Sequence, residues 1–190
     1  ETAPFLRELA SNAAVFERAY STSSWTAPAT ASLLTGLYPK NHGVVAGFFV
    51  GKNKPKLNSM PQDIEISLSR LPENIDGIAS LLRQEGYRTY GIAANTHISP
   101  ELGFDNGFDQ YAYLKAGTVL DVERKLNNWA PKMLASPAPT FLYLHLNDVH
   151  GPYERHAPWY KESRDPLEDA MSAYDSGVSY LDEQLRRIAK

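Results

Sequence analysis

Apolar positions along the chain follow two rhythms, one of three- and four-residue steps and one of short continuous runs. Phe5, Leu6, Leu9 and Ala13 share one side of a first helix, with Thr2 as its cap and Pro4 in its first turn. Residues 15–20 alternate apolar and polar side chains, the pattern of a short strand. A second helix is expected to begin near Pro28 and to run through Ala31, Leu33 and Leu34 to Gly36, a good terminator. Residues 71–95 read as helix then strand. Pro72 opens the helix, Ile75, Ile78, Ala79 and Leu82 line its inner side, Gly86 closes it, and 88–94 make a short buried strand. A long helix carries Val119, Val122, Leu126 and Trp129, with Pro131 limiting its end. Residues 140–146, TFLYLHL, are nearly continuous in apolar side chains, as expected of a strand covered on both faces. A last helix places Tyr174, Val178, Leu181, Leu185 and Ile188 on one side. Helices alternating with short buried strands predict an α/β sandwich of helices around a mainly parallel sheet.

Composition narrows the function classes. A chain of 190 residues is long enough for one core and marginal for two. Residues 51–69, GKNKPKLNSMPQDIEISLS, are polar, carry two prolines and lack a helical period, so a surface insertion is expected there. Nineteen Lys and Arg against 22 Asp and Glu give a net charge of −3, which is no footprint for a nucleic-acid partner. No run approaches the roughly 20 apolar residues of a membrane span. The absence of cysteine excludes disulfides, thiolate zinc sites and a cysteine nucleophile, and leaves the compartment open. The chain begins at Glu1 with no initiator Met and no apolar signal segment, the start of a processed product or an excised piece. Nothing in the pattern fixes an oligomeric state.

The most informative stretch for chemistry surrounds Thr26. A hydroxyl residue two positions before a helix-starting proline sits beside unpaired backbone N–H groups and the positive end of the helix dipole. Such a place welcomes a phosphate or sulfate, and favours an attacking alkoxide once a base or metal takes its proton. The same pattern is also satisfied if Thr26 or Ser24 is merely a helix cap.

The sequence AYSTSSWTAPATASLLTGLYPKNHGV resembles the nucleophile region of the sulfatase family, within the alkaline phosphatase superfamily. That family's pattern is Cys or Ser, any residue, Pro, any residue, Arg, then a small-residue helix ending in Leu-Leu-Thr-Gly. Thr26, Pro28, Ala31, Ser32, Leu33, Leu34, Thr35, Gly36, Tyr38, Pro39, His42 and Gly43 fall on that frame. Two positions depart from it. Thr26 stands where sulfatases form formylglycine, an aldehyde that threonine cannot yield, and Thr30 stands where an arginine supports the nucleophile. By resemblance, a threonine suits the phosphotransfer branches of the superfamily. Thr26 would attack a phosphate, phosphonate or sulfate ester and become a covalent phospho- or sulfo-threonine. The resemblance also implies a divalent metal ion (calcium, manganese or zinc) with Thr26 among its ligands and the other ligands in segments outside this sequence, and places Thr30 at the substrate.

Two further segments extend the likeness. Gly86-Tyr87-Arg88-Thr89 through Asn95-Thr96-His97 resembles the family strand that ends in Gly-Lys-Trp-His. Here Ala94 replaces the lysine and His97 is offset by about one position, yet Asn95 and His97 still end a strand where α/β folds open a crevice. Both are placed there to contact the substrate, Asn95 as a donor and His97 as a donor or metal ligand. An ordinary polar loop explains them equally. Asn147-Asp148-Val149-His150-Gly151-Pro152-Tyr153 ends the apolar strand and resembles the family's substrate-binding histidine in an Asp-x-His-x-Pro-Tyr context. The likeness makes His150 a donor or general acid to the ester oxygen, with Asp148 orienting it or holding solvent. His145, facing away from Leu146, is read as structural. Residues 103–109 imitate a calcium loop but lack its alternating acids and closing Glu. The aliphatic side of the last helix reads as core.

The resemblance covers nearly all of residues 1–190 but only the middle of a family member, because the aspartate-bearing segments on either side are not in this sequence. It implies a partial, alkaline-phosphatase-like catalytic domain that turns over no substrate by itself. The intact parent would act on a small-molecule, glycan or lipid anionic ester, in the periplasm or outside the cell. Two other outcomes fit the same residues: a sulfuric ester hydrolase with an atypical site, and an inactive domain that binds anions or glycans.

Overall fold

A computed structural model describes residues 2–45 and 69–189. Its helices are α1 (Pro4–Ala10), α2 (Thr26–Thr35), α3 (Pro39–His42), α4 (Ile78–Gln84), α5 (Val119–Leu134) and α6 (Pro166–Ile188). Its strands are β1 (Arg88–Ala93), β2 (Gln110–Tyr113) and β3 (Thr140–His145), and 3₁₀ turns cover Thr96–Ile98 and Pro100–Leu102. The strands form one sheet in the order β2-β1-β3. Both outer strands run parallel to β1, with Ala93 level with Tyr113 and His145. The expected insertion at 51–69 lies outside the described residues except for Ser69.

Strand alternation sends β1 into two cores. Ala93 joins Ala27, Ala31 and Leu34 of α2, with Phe104, Tyr111 and Tyr143 packed around them. Ile92 and Ala94 turn the other way, to Val122, Leu126 and Trp129 of α5 and to Leu144 of β3. The sheet is therefore sandwiched by α2 and α5, as the apolar rhythm predicts. Gly91 permits the close fit on the α2 side. A Cβ there would come within 2.5 Å of the Tyr111 ring, so an alanine would force the aromatic layer apart.

Several elements differ from expectation, each for a local reason. Residues 15–20 form no strand, and Val15, Phe16 and Tyr20 are 65%, 81% and 86% exposed. Alternation is only half of a strand, and no strand among the described residues pairs with this segment. The second helix starts at Thr26 instead of Pro28, and ends on Gly36 in the left-handed conformation at φ 71°. Gly77, not Pro72, precedes α4, and Gly86 follows it at φ 86°. Pro131 lies inside α5, close enough to the end for one further turn to form after it. β3 stops at His145, one residue short of the expected end, and is only partly covered. It is an edge strand, with β1 on one side only among the described residues.

The last helix buries a different stripe from the predicted one. Ala173, Ser176, Gly177, Ser179, Asp182 and Gln184 are buried on α6, whereas Tyr174 is exposed. Asp182 explains why a polar stripe is turned inward. Its carboxylate accepts the Phe5 and Leu6 N–H groups at 2.8 and 2.9 Å, supplying from α6 the cap that Thr2 does not provide to α1. No helix among the described residues is long and apolar enough to cross a membrane.

Candidate functional site

A cleft of about 420 Å³ opens at the C-terminal edge of the sheet. Trp25 and Thr26 reach it from the start of α2, Ala94 to His97 from the end of β1, Lys115 and Ala116 from beyond β2, and Asn147 and His150 from beyond β3. Parallel strands bring their C-terminal ends to one edge, which is why residues so distant in sequence meet there. Of the sequence-predicted residues, Thr26, Asn95, His97 and His150 share this cleft.

Thr26 is half-buried and is the first residue of α2. Trp25 occupies the cap position in extended conformation, with no side-chain hydrogen bond to the helix start. Pro28 contributes no N–H at all. The positive end of α2 therefore faces the cleft with no side-chain cap and no acid in its first turn among the described residues.

Asn95, 8% exposed, is fixed at both ends of its amide. Its Oδ1 accepts the His97 N–H at 2.9 Å, closing the 3₁₀ turn, and its Nδ2 donates to Asn147 Oδ1 at 3.2 Å. This link ties the end of β1 to the end of β3, so the two histidine-bearing turns are held in one frame. The His97 ring packs edge-on against Trp25, with centroids 5.5 Å apart. Burial lowers its pKa below the ordinary 6.5, which favours a neutral imidazole at pH 7.

His150 is exposed, and its Nδ1 lies 2.7 Å from its neighbour Gly151's carbonyl oxygen. A carbonyl has no proton to give, so Nδ1 carries the hydrogen and donates it. The other ring nitrogen, Nε2, is then the one left for a substrate oxygen.

Two expected site residues lie elsewhere. Thr30 is buried beside Tyr143 of β3. One helical turn carries it about 6 Å along α2 from Thr26 and towards the sheet, away from the cleft. Asp148 does not orient His150. Its Oδ1 accepts the Val119 N–H at 2.9 Å, so the carboxylate sits on the positive end of α5. The even-numbered alternation of Leu144 and Leu146 towards α5 carries Asp148 to the same side. His145 is half-buried with its pKa lowered by burial, and it does not line the cleft.

The described residues do not by themselves complete a site for the implied metal ion. Among the described residues no three His, Cys, Asp or Glu side chains converge closely enough to hold one, and the partner ligands that the resemblance implies for Thr26 belong to segments outside this sequence.

Lys115, Asn147 and Trp25 were not singled out from the sequence as site residues. Recognition of β2 would have revealed Lys115, because the crevice rule points to whatever follows each strand. Asn147 needed the β1–β3 pairing to bring it opposite Asn95.

The sulfatase family model matches residues 1–190. Human N-sulphoglucosamine sulphohydrolase is 31% identical over 153 residues, which make up 77% of this chain and 27% of that protein. The crystal structure of the lipoteichoic acid synthase LtaP from Listeria monocytogenes superposes with a TM-score of 0.70 at 17% identity, over 99% of this chain and 45% of that one. An alkaline phosphatase superfamily protein from Vibrio parahaemolyticus gives 0.57 at 18% identity, over 98% and 45%. These likenesses establish the helix-flanked sheet as the superfamily's architecture. The chain spans less than half the length of each of these relatives.

Proposed function

The chain belongs to the sulfatase family, and on that premise we propose that the protein carrying it is a hydrolase or transferase of anionic esters with Thr26 as nucleophile. One observation carries this reading: Thr26, Asn95, His97 and His150 line a single cleft at the mouth of the sheet. The hydroxyl of Thr26 attacks the phosphorus or sulfur of the ester, and its proton passes to the neutral ring of His97. The bond to the departing oxygen breaks, and His150, entering the step protonated on both ring nitrogens with Nδ1–H held by the Gly151 carbonyl, gives that oxygen its Nε2 proton. Asn95 holds His97 through the backbone and keeps the two histidine turns in register. The uncapped start of α2 stabilises the negative charge that gathers on the transferred group. Water or an acceptor hydroxyl then releases the group from Thr26.

The esters within reach are phosphates, phosphonates and sulfates on a small molecule, glycan or lipid, and an exported location goes with this reading. Likeness to a human sulphohydrolase favours a second reading, in which a sulfate is the substrate. Against it stands the chemistry of Thr26. A sulfo-threonine lacks the hemiacetal route by which formylglycine sheds sulfate. Assays of the full-length protein on aryl phosphate, alkyl phosphonate and aryl sulfate, each with calcium, manganese and zinc, separate the two. Turnover of phosphorus esters that disappears in Thr26→Ala is expected. Fast aryl-sulfate turnover surviving Thr26→Ala contradicts the Thr26 reading, and anion binding without turnover of any ester points to a non-catalytic domain.

A further inference from the structure

An anionic substrate needs a cation, and the positions where the sulfatase resemblance expects one hold Thr30 and Ala94. Thr30 is buried beside Tyr143, and Ala94, packed against the α5 core at the floor of the cleft, carries no charge. His97 is biased towards its neutral form. Among the described residues that line the cleft, Lys115 alone carries a permanent positive charge.

Its backbone is held at the rim by several independent contacts. Leu114 N–H donates to the Ala93 carbonyl at 2.8 Å, extending the β1–β2 ladder by one step. The Lys115 carbonyl accepts Thr96 Oγ1 at 3.4 Å, and Thr96 Oγ1 accepts the Tyr113 hydroxyl at 3.2 Å. The end of β2 is thereby fastened to the same turn that presents Asn95 and His97. On the far side, Thr118 and Asp121 close a capping box that starts α5. The side chain remains exposed and makes no ion pair with an acid among the described residues. Asp121, an acid of the neighbouring groove, pairs with Arg124 at 2.9 Å.

We infer that Lys115 is the anion anchor of the cleft, binding the tetrahedral oxyanion of the ester from the end of β2. The assignment rests on the anionic-ester reading of the same cleft. A flexible ammonium suits this position, because it follows a spherical group without demanding the planar match that an arginine needs. It also makes binding depend on ionic strength, since the charge is solvent-exposed.

Lys115→Ala, Lys115→Arg and Thr26→Ala in the full-length protein test the inference, titrated with inorganic phosphate and inorganic sulfate at low and high salt. Lys115→Ala should weaken binding of the preferred anion roughly ten-fold and flatten its salt dependence, with Lys115→Arg retaining most of both. An unchanged melting curve is expected, because the side chain is exposed. Anion affinity and salt dependence equal to those of the parent in Lys115→Ala overturn the inference, even where Thr26→Ala abolishes turnover and the cleft chemistry stands. Weakened binding in Lys115→Ala with full turnover in Thr26→Ala supports the anchor and removes the nucleophile. No binding of either anion to the parent protein overturns both.

Discussion

The two ends of α2 are built from the same residue types and put them to opposite uses. At the C-terminal end, the Ser32 hydroxyl lies 3.0 Å from His42 Nε2, a distance at which a serine and its general base also sit. Yet His42 is fully buried, and its Nδ1 accepts the Val44 N–H at 3.1 Å. That bond leaves the proton on Nε2, which donates it to Ser32, so both ring nitrogens are committed. At the N-terminal end, Thr26 meets a cleft, no side chain caps the helix, and His150 keeps Nε2 available. A hydroxyl near a histidine is thus not chemistry in itself. What distinguishes the two ends is access, together with a ring nitrogen that the fold has not already used.

Substitutions at each end should separate along that line. The largest effect is expected from Thr26→Ala, with turnover falling by roughly a thousand-fold or more and Thr26→Ser keeping a measurable part, read from steady-state rates on the best ester. His42→Ala should instead cost stability, about 2–4 kcal/mol from the lost packing and the unpaired Ser32 and Val44 groups, measured by urea unfolding. Its rate per folded molecule should stay near that of the parent, and a large loss of rate without loss of stability would erase the contrast. His150→Gln should lower the rate roughly a hundred-fold with little change in the unfolding midpoint.

The smallest effect is a pH dependence. Burial holds His42 below its ordinary pKa of 6.5. Between that value and the lower folded one, the unfolded chain binds a proton that the folded chain refuses. Stability is therefore full above about pH 6.5 and declines as the pH falls through the folded pKa. His97 and His145 shift in the same direction, so the His42 share is the part of the slope removed in His42→Gln, followed by urea midpoints from pH 8 to pH 5.

Much of the frame was legible because burial leaves a periodic trace. β1, β3, α2 and α5 follow from apolar spacing, and the cleft residues at the ends of β1 and β3 follow once those strands are known to be parallel. β2 was hidden because its four residues lie among Phe, Gly and Asp of a turn and bury little. Residues 15–20 misled for the opposite reason, since they carry the alternation of a strand without a neighbour to pair with. Thr30 and Asp148 were placed at the site by their position in motifs. Thr30 is instead buried beside Tyr143, and Asp148 accepts the Val119 N–H, neighbours that only the folded arrangement brings near. Lys115 was missed together with the strand that delivers it.

Trapping the covalent species tests the nucleophile most directly. The full-length protein is mixed with an aryl phosphate or aryl sulfate, quenched in acid within one turnover, digested, and its peptides weighed. A peptide containing Thr26 that has gained the mass of one phosphoryl or sulfuryl group, absent in Thr26→Ala, is the expected result. Product release with the group on another residue, or with no modified peptide at any quench time, would contradict the assignment of Thr26.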